Sequence, residues 1–441
     1  MNPPPFRSSF LGRVLGPAAA VFAFAALPAH ALQPLTSFVE AARTHNVDNA
    51  EAVAGLEGQK AQADLALGRA LPGLGARGVY TRNEIQVPFG PIPGIIDTQV
   101  FIQRYNQLDA FLTVNVPLVD LASFQRIGAA QKGTDSAEQQ VQATSLQVSA
   151  AVAQDYYQLV ASQAVVEASL RALDVAQSSL RLAQTRFEAG KGAALDVDLA
   201  RAEVERQTQL LSAARLNVAL AARALESATG VTPDLSAPAP LDDDLHTEAT
   251  LDTFQRPDEA LPAVAAAAIA RASSEQQATA ARYSLIPSLS GSFLEHGTNA
   301  SSFIGQAWSY SAIATLNWQL DFTSFATIHA QDAAAAAARA REERTRLQIR
   351  DAIHRSWATV DTAIAQSRSA RAQQQASTHA SQLALARYEA GAATQLELLQ
   401  AQRDALSADV ARIQADANLA NSRLQLRLAS GVDPFAQKGT P

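Results

Sequence analysis

Apolar and polar residues alternate along this chain with two different periods, and the two textures recur in the same order. In Leu112-Thr113-Val114-Asn115-Val116-Pro117-Leu118, leucine and valine occupy every second position. Ala314-Thr315-Leu316-Asn317-Trp318-Gln319-Leu320 does likewise, with Thr315, Asn317 and Gln319 on the opposite face. A third run sets Leu289, Gly291 and Phe293 against Ser288, Ser290 and Ser292, and Leu74 to Tyr80 is a weaker fourth. Period two with one apolar and one small polar face predicts strands, and suits membrane β-barrel strands of about 9–11 residues. They pair as hairpins over about 72–120 and about 287–321. The first hairpin is longer, and its excess around Val87 to Gly94 is Pro/Gly-rich and reads as an exposed loop. Val114 and Leu118 match Leu316 and Leu320, which leaves Val119 as an inserted residue.

After each hairpin the period changes to that of a helix. Neither glycine nor proline occurs from Phe322 to Ala390 or from Thr134 to Ala189, and strong helix formers dominate both segments. Long helices are predicted over about 122–189 and 323–390, each roughly 100 Å long at ~1.5 Å per residue. Globular helices rarely exceed about 20 residues, so a rod of this length bridges something. Gly190 and Gly391 suit the left-handed cap that ends a helix. Return helices follow over about 195–229 and 396–430. Val197, Val204, Leu211, Val218 and Leu225 fall seven apart, as do Leu399, Leu406, Ile413 and Ala420. That spacing is a coiled-coil seam. A further helix precedes each hairpin, Ser37 to Arg69 and Pro262 to Leu285.

The whole arrangement is written twice. Ala183 to Gly190 returns as Ala384 to Gly391, an offset of 201 residues that also carries Asp120 and Ser123 onto Asp321 and Ser324. Two repeats are therefore expected at 32–233 and 262–434, with a linker at 234–261 and a tail at 435–441. The linker contains Pro238, Pro240 and the acidic run Asp242-Asp243-Asp244, read as irregular, exposed and a remote candidate for a cation site.

Residues 1–31 read as a secretory signal: Arg7 and Arg13, an apolar stretch from Val14 to Leu27, and the Ala29-His30-Ala31 cleavage motif. There is no cysteine, so neither a disulfide nor a lipid on an N-terminal cysteine is available. The formal net charge of −7 argues against nucleic acid as a partner. The seven histidines are scattered and no nucleophile elbow occurs, so neither an enzyme, a cofactor nor a metal centre is expected. Four strands cannot close a barrel, since bacterial barrels begin at eight. An open edge in hydrocarbon costs several kcal/mol per unpaired group. If the strands enter outer-membrane lipid, sister copies must complete them.

The twice-repeated Arg-Phe/Tyr-x-Ala-Gly, each followed by Leu-Asp/Glu-Val/Leu, resembles the helix tips of the TolC family of outer-membrane channel proteins. The resemblance covers essentially the whole mature chain. It implies a mainly α fold with a small β part: duplicated coiled-coil hairpins forming an α-barrel, and four strands per chain contributing to a twelve-stranded barrel in a homotrimer. It implies an outer-membrane location with the helices in the periplasm, where a periplasmic adaptor protein and an inner-membrane transporter dock. The expected function is a passive exit duct of a tripartite efflux pump, with type I protein secretion as the alternative. A periplasmic coiled-coil adaptor or scaffold is remoter.

Site residues follow from the same resemblance. Arg186, Phe187, Arg387 and Tyr388 fall at the periplasmic entrance, where the family tyrosine matched by Tyr388 latches the closed state by hydrogen bonding. Phe187 lacks that hydroxyl, and both aromatics could instead staple the hairpin ends. Glu397 matches an acidic residue that narrows the pore, while a second acid and a basic residue found in relatives are replaced by Gln400 and Ala393. Asp196 and Asp198 are the first-copy acids, expected as partners of Arg387 or Arg186 or as ordinary helix N-terminal charges. Gly190, Lys191, Gly192 and Gly391 form the tips expected to face the adaptor.

Overall fold

The computed structural model describes residues 32–91, 99–236, 239–241, 243–300 and 306–435. The signal at 1–31, residues 92–98 of the loop, Pro238 and Asp242 of the linker, and tail residues 436–441 lie outside the described residues.

Helices α1 (Leu35–His45) and α2 (Val47–Gly68) precede strand β1 (Gly73–Arg82). The single helix expected from Ser37 to Arg69 is thus broken at Asn46, which is extended at φ −69°, ψ 133°. The break has a polar cause. The Asn46 side chain caps α2 by accepting from Asp48 N–H at 2.9 Å, and its amide donates to the Ala228 carbonyl at 3.0 Å. Held there, α1 buries Phe38, Val39 and Ala42 against Val152, Leu159 and Leu225.

Strands β2 (Val87–Phe89), β3 (Val100–Gln103) and β4 (Asn106–Val119) complete the first hairpin. The Pro/Gly-rich excess is not wholly loop, because β2 and β3 pair as a small antiparallel ribbon in which Val100 is buried. Then come the rod α3 (Leu121–Glu188) and its return α4 (Ala194–Thr229). The second repeat runs α5 (Leu251–Phe254), a 3-10 turn (Asp258–Ala260), α6 (Pro262–Tyr283), β5 (Ser288–Thr298), β6 (Trp308–Asn317), α7 (Phe322–Glu389) and α8 (Gln395–Ala429). Each rod is 68 residues long. The repeated aspartates start them: Asp120 and Asp321 accept from Ser123 N–H at 3.0 Å and Ser324 N–H at 2.8 Å, as N-caps do.

β1, β4, β5 and β6 form one antiparallel sheet in that order. The expected extra residue appears as a bulge at Leu118, not Val119: Pro117 pairs with Ser290 and Val119 with Leu289, leaving Leu118 between them. Proline is tolerated at such a point because it has no N–H to contribute. One face of the sheet carries Leu74, Tyr80, Leu108, Leu112, Val114, Leu289, Phe293, Trp308, Tyr310 and Leu316. Its charged members, Arg82 and Glu295, sit toward the end remote from the helices. The other face carries serines, threonines, Asn115 and Asn317. The outer edges of β1 and β6 have no partner in the protomer among the described residues.

Small residues let the helices approach one another. A Cβ built on Gly128 of α3 would fall 2.2 Å from Gln276 Nε2 of α6. Beside it, Ser273 Oγ donates to the Ala129 carbonyl at 2.7 Å. The α4 seam buries Leu211 and Leu225 with Ala200, Ala214 and Ala221, and the α8 seam buries Leu399 and Ile413. Among the described residues, no helix is long and apolar enough to cross a membrane.

The linker is mostly exposed or half-buried, as expected, but a few of its residues tie it to the helices. Arg423 of α8, 6% exposed, reaches Asp243 Oδ2 at 2.9 Å and Glu248 Oε1 at 2.6 Å. Trp357 Nε1 donates to the Ala249 carbonyl at 3.0 Å, and Phe254 and Leu245 lie on Val360 and Leu426. Removing one partner of a buried ion pair leaves the other charge uncompensated, at about 3–5 kcal/mol. Arg423→Met is therefore expected to lower the melting temperature of the purified protein markedly, followed by circular dichroism. An unchanged melt would show that the linker is not held by charge.

Candidate functional site at the helix tips

The tips are built by two repeats of one local device. Gly190 and Gly391 adopt φ +70° and +75°, a left-handed conformation that glycine enters without Cβ strain. Lys191 N–H then bonds the Arg186 carbonyl at 2.8 Å, and Ala392 N–H bonds the Arg387 carbonyl at 2.7 Å. These six-to-one bonds close the rods as Schellman motifs. Gly192 is tight for another reason, because a Cβ there would lie 3.2 Å from Phe187 N.

The acids restart the chain. Thr394 Oγ1 accepts from Glu397 N–H at 3.2 Å, and Glu397 Oε2 accepts from Thr394 N–H at 2.8 Å, a complete capping box. Asp196 Oδ2 accepts from Ala193 N–H at 3.3 Å in the first copy. Asp198 instead pairs with Arg201 at 3.6 Å on the surface of α4. Neither acid pairs with Arg186 or Arg387 in the protomer, and Asp196 stands as a helix N-terminal charge, the other reading of the sequence. Both arginines turn instead to backbone carbonyls at the end of α7 and in the turn that follows it.

Arg387 stays within its own tip, donating to the Ala392 carbonyl at 3.2 Å. Arg186 crosses to the other tip. Its Nη1 donates to the carbonyls of Tyr388 at 2.6 Å and Glu389 at 3.2 Å. Its guanidinium carbon lies 4.8 Å from the centroid of the Tyr388 ring, within cation–π range. Tyr388 is 3% exposed, whereas Phe187 is 46% exposed, so the two aromatics do not play equivalent staple roles. Among the described residues the Tyr388 hydroxyl has no hydrogen-bond partner within the protomer, and Arg186 meets the ring face and the backbone. Burial pushes the Tyr388 phenol above its usual range, the Asp196 carboxylate adds to this, and Arg186 opposes it.

Below the tips, the two hairpins are joined by polar ties that sequence reading missed. Glu203 of α4, its side chain 3% exposed, accepts from Arg403 of α8 at 2.6 Å and from Arg206 at 2.9 Å. Gln207 Nε2 adds a bond of 2.6 Å. Gln402 Nε2 donates to Ser179 Oγ at 2.9 Å, and Arg171 pairs with Asp409 at 3.1 Å. Of these, Arg171, Glu203, Gln207, Gln402 and Asp409 border a 360 Å³ cleft between the hairpins. One signal existed in the sequence: Glu203 and Gln207 occupy the small-residue row of the α4 seam beside Ala200 and Ala214. Polar side chains there require partners on a neighbouring helix.

Burial raises the Glu203 pKa, but the bonds from Arg206, Arg403 and Gln207 outweigh it and hold the carboxyl below its usual value. A depressed folded pKa means the tie is complete above the ordinary glutamate value of about 4.3 and is lost as pH falls through the folded value. Acidification below about pH 4 is thus expected to increase proteolytic cleavage at the tips, with Glu203→Gln showing raised cleavage already at pH 7. Equal cleavage of wild type and variant at pH 7 would remove Glu203 from the inter-hairpin contact.

The linker acids do not form a vacant metal centre. Asp243, Asp244 and His246 gather their ligand atoms within 4.8 Å of one another. However, the Arg423 guanidinium contacts Asp243 at 2.9 Å and His246 Nε2 at 2.8 Å, so a protein cation already balances them.

This geometry defines a class: a duplicated coiled-coil hairpin protein that ends in a small amphipathic sheet with open edges. The chain matches the outer membrane efflux protein family over residues 38–231 and 258–432, and it belongs to that family. Membership implies an outer-membrane location. The chain is 30% identical over 321 residues to Protein CyaE of Bordetella pertussis, covering 69% of this chain and 66% of that one, slightly under two thirds of the relative's length. Its fold matches that of the outer-membrane channel OprN at a TM-score of 0.76 and 24% identity, with 90% of each chain covered. The Vibrio cholerae outer membrane protein VceC matches at 0.75 and 20% identity, over 90% of this chain and 96% of that one. The open-state MtrE channel of Neisseria gonorrhoeae matches at 0.76 and 19% identity, over 91% and 90%. These likenesses establish a TolC-like channel fold.

Proposed function

We propose that the protein is the passive outer-membrane exit duct of a tripartite efflux pump, working as a homotrimer with a periplasmic adaptor and an inner-membrane transporter. The observation that carries this reading is the unpartnered edges of β1 and β6 on a sheet with one apolar face. That face runs from Trp308, the first residue of β6, to Trp318, one past its end, a separation of ten residues or ~34 Å of extended chain. A tilt of about 40° reduces this to ~26 Å, close to the ~25 Å apolar band of outer-membrane barrels, with tryptophan at both borders. Three copies supply twelve strands, and edge-to-edge pairing satisfies every exposed backbone group. The rods then continue the ring as a tunnel into the periplasm.

In this reading the tips form the periplasmic entrance. Arg186 holds the second hairpin against the first, Tyr388 supplies the surface it grips, and Arg387 stiffens its own turn. Glu397, with Asp196 and Asp198, places carboxylates around the pore, and such rings favour cations. Gly190, Lys191, Gly192 and Gly391 present bare turns to the adaptor.

Arg186→Ala is expected to raise single-channel conductance in planar bilayers severalfold by releasing the clamp. Conductance equal to wild type would exclude Arg186 from the gate. Glu397→Ala is expected to lower cation selectivity, read from reversal potentials in a KCl gradient. Gly391→Trp leaves membrane insertion and trimer formation intact while abolishing adaptor-dependent export, and normal export by it would count against docking at the tips. A deletion strain exposed to antibiotics, dyes and metal salts separates efflux from the protein-secretion alternative, which predicts a changed secretome and unchanged drug tolerance.

A further inference from the structure

The polar face of the sheet carries a belt that the entrance chemistry does not use. Arg77 on β1, Phe111 on β4, His296 on β5 and Ser309 on β6 are successive cross-strand neighbours. The Arg77 guanidinium lies 4.7 Å from the Phe111 ring centroid. The Phe111 and His296 rings stack at 4.5 Å with an interplanar angle of 4°. Behind them, His296 Nε2 is 2.9 Å from Asp109 Oδ1. Among the described residues, Arg77, Asp109 and His296 are the only charged or titratable side chains on this face.

The three are not presented equally. The Asp109 side chain is 10% exposed and the His296 side chain 31%, while Arg77 is exposed. The carboxylate is covered and the cation is offered. Phe111 lies eight residues from the helix-proximal end of β4, or ~27 Å along the strand. Ser309 stands between Trp308 and Tyr310 of the opposite face, so the belt sits at the level of the outer aromatic border.

We propose that this belt is an anion-attracting ring at the outer mouth of the channel, set by Arg77. The proposal rests on the reading of the protein as a trimeric channel whose polar strand face lines the lumen. Rings of arginine favour anions, and small anions or the acidic groups of cargo are the species such a ring draws in. Phe111, stacked on His296, carries the Arg77 guanidinium on its ring, and the Asp109 carboxylate is held behind by His296.

The test uses the full-length trimer in planar bilayers, with reversal potentials in a KCl gradient. Arg77→Gln is expected to lower the chloride-to-potassium permeability ratio about twofold, and Arg77→Lys to restore it. Conducting channels whose selectivity is indifferent to Arg77→Gln overturn the belt alone. Inserted trimers that never conduct overturn the channel reading, and the belt with it. If Arg77→Gln yields no heat-resistant trimer, Arg77→Met, which keeps most of the stem, is read by the same ratio, and an unchanged value overturns the belt.

Discussion

An unpaired sheet edge exposes a row of N–H and C=O groups, and hydrocarbon offers them nothing to bond with. β1 and β6 each carry such an edge, on a sheet whose one face is apolar. That constraint organises everything else in the chain. The apolar face cannot be left in water without an aggregation hazard, and the edges cannot be left in lipid without a cost of several kcal/mol per group. Sister strands meet both demands together. In the proposed assembly the rods continue the ring, and within the protomer small residues at Gly128, Ala129 and Ser273 bring α3 and α6 together.

Charge is used differently at different depths. Near the strands α3 and α6 meet through alanine, serine and glycine, while α6 and α7 are joined by ion pairs such as Arg282 with Asp332. In the middle, Arg423 ties the linker to α8 through Asp243 and Glu248. Toward the tips, Glu203, Arg403 and Arg186 tie one hairpin to the other. Apolar packing is non-directional and tolerates sliding, whereas a buried ion pair is costly to separate. The ties between the hairpins are thus discrete contacts at the end proposed as the entrance.

Much of this architecture is legible in the linear chain. The offset between Arg186 and Arg387 marks the duplication, and glycine-free runs mark the rods, because both are properties of neighbouring residues. The extra residue at the end of β4 is legible as a counting mismatch, although only pairing with β5 places the bulge at Leu118. The break at Asn46 is not legible, since Ser37 to Arg69 contains no proline and Asn46 acts through a bond to Ala228, 182 residues away. The ties of the linker are hidden for the same reason. Asp243 and Glu248 look solvent-bound until α8 brings Arg423 between them. At the tips, residue types announce turns and caps, but not that Arg186 crosses to the Tyr388 ring face and carbonyl.

The sequence alone therefore determined the two periods, their order, their duplication and the need for sister strands, because period, capping and backbone satisfaction are local physics. Tertiary structure decided which charges meet, which tyrosine is buried and which aspartate is covered. Those outcomes depend on the relative placement of segments some 200 residues apart, as between Arg186 and Tyr388 or Glu203 and Arg403, and no local pattern encodes a distance between segments so far apart.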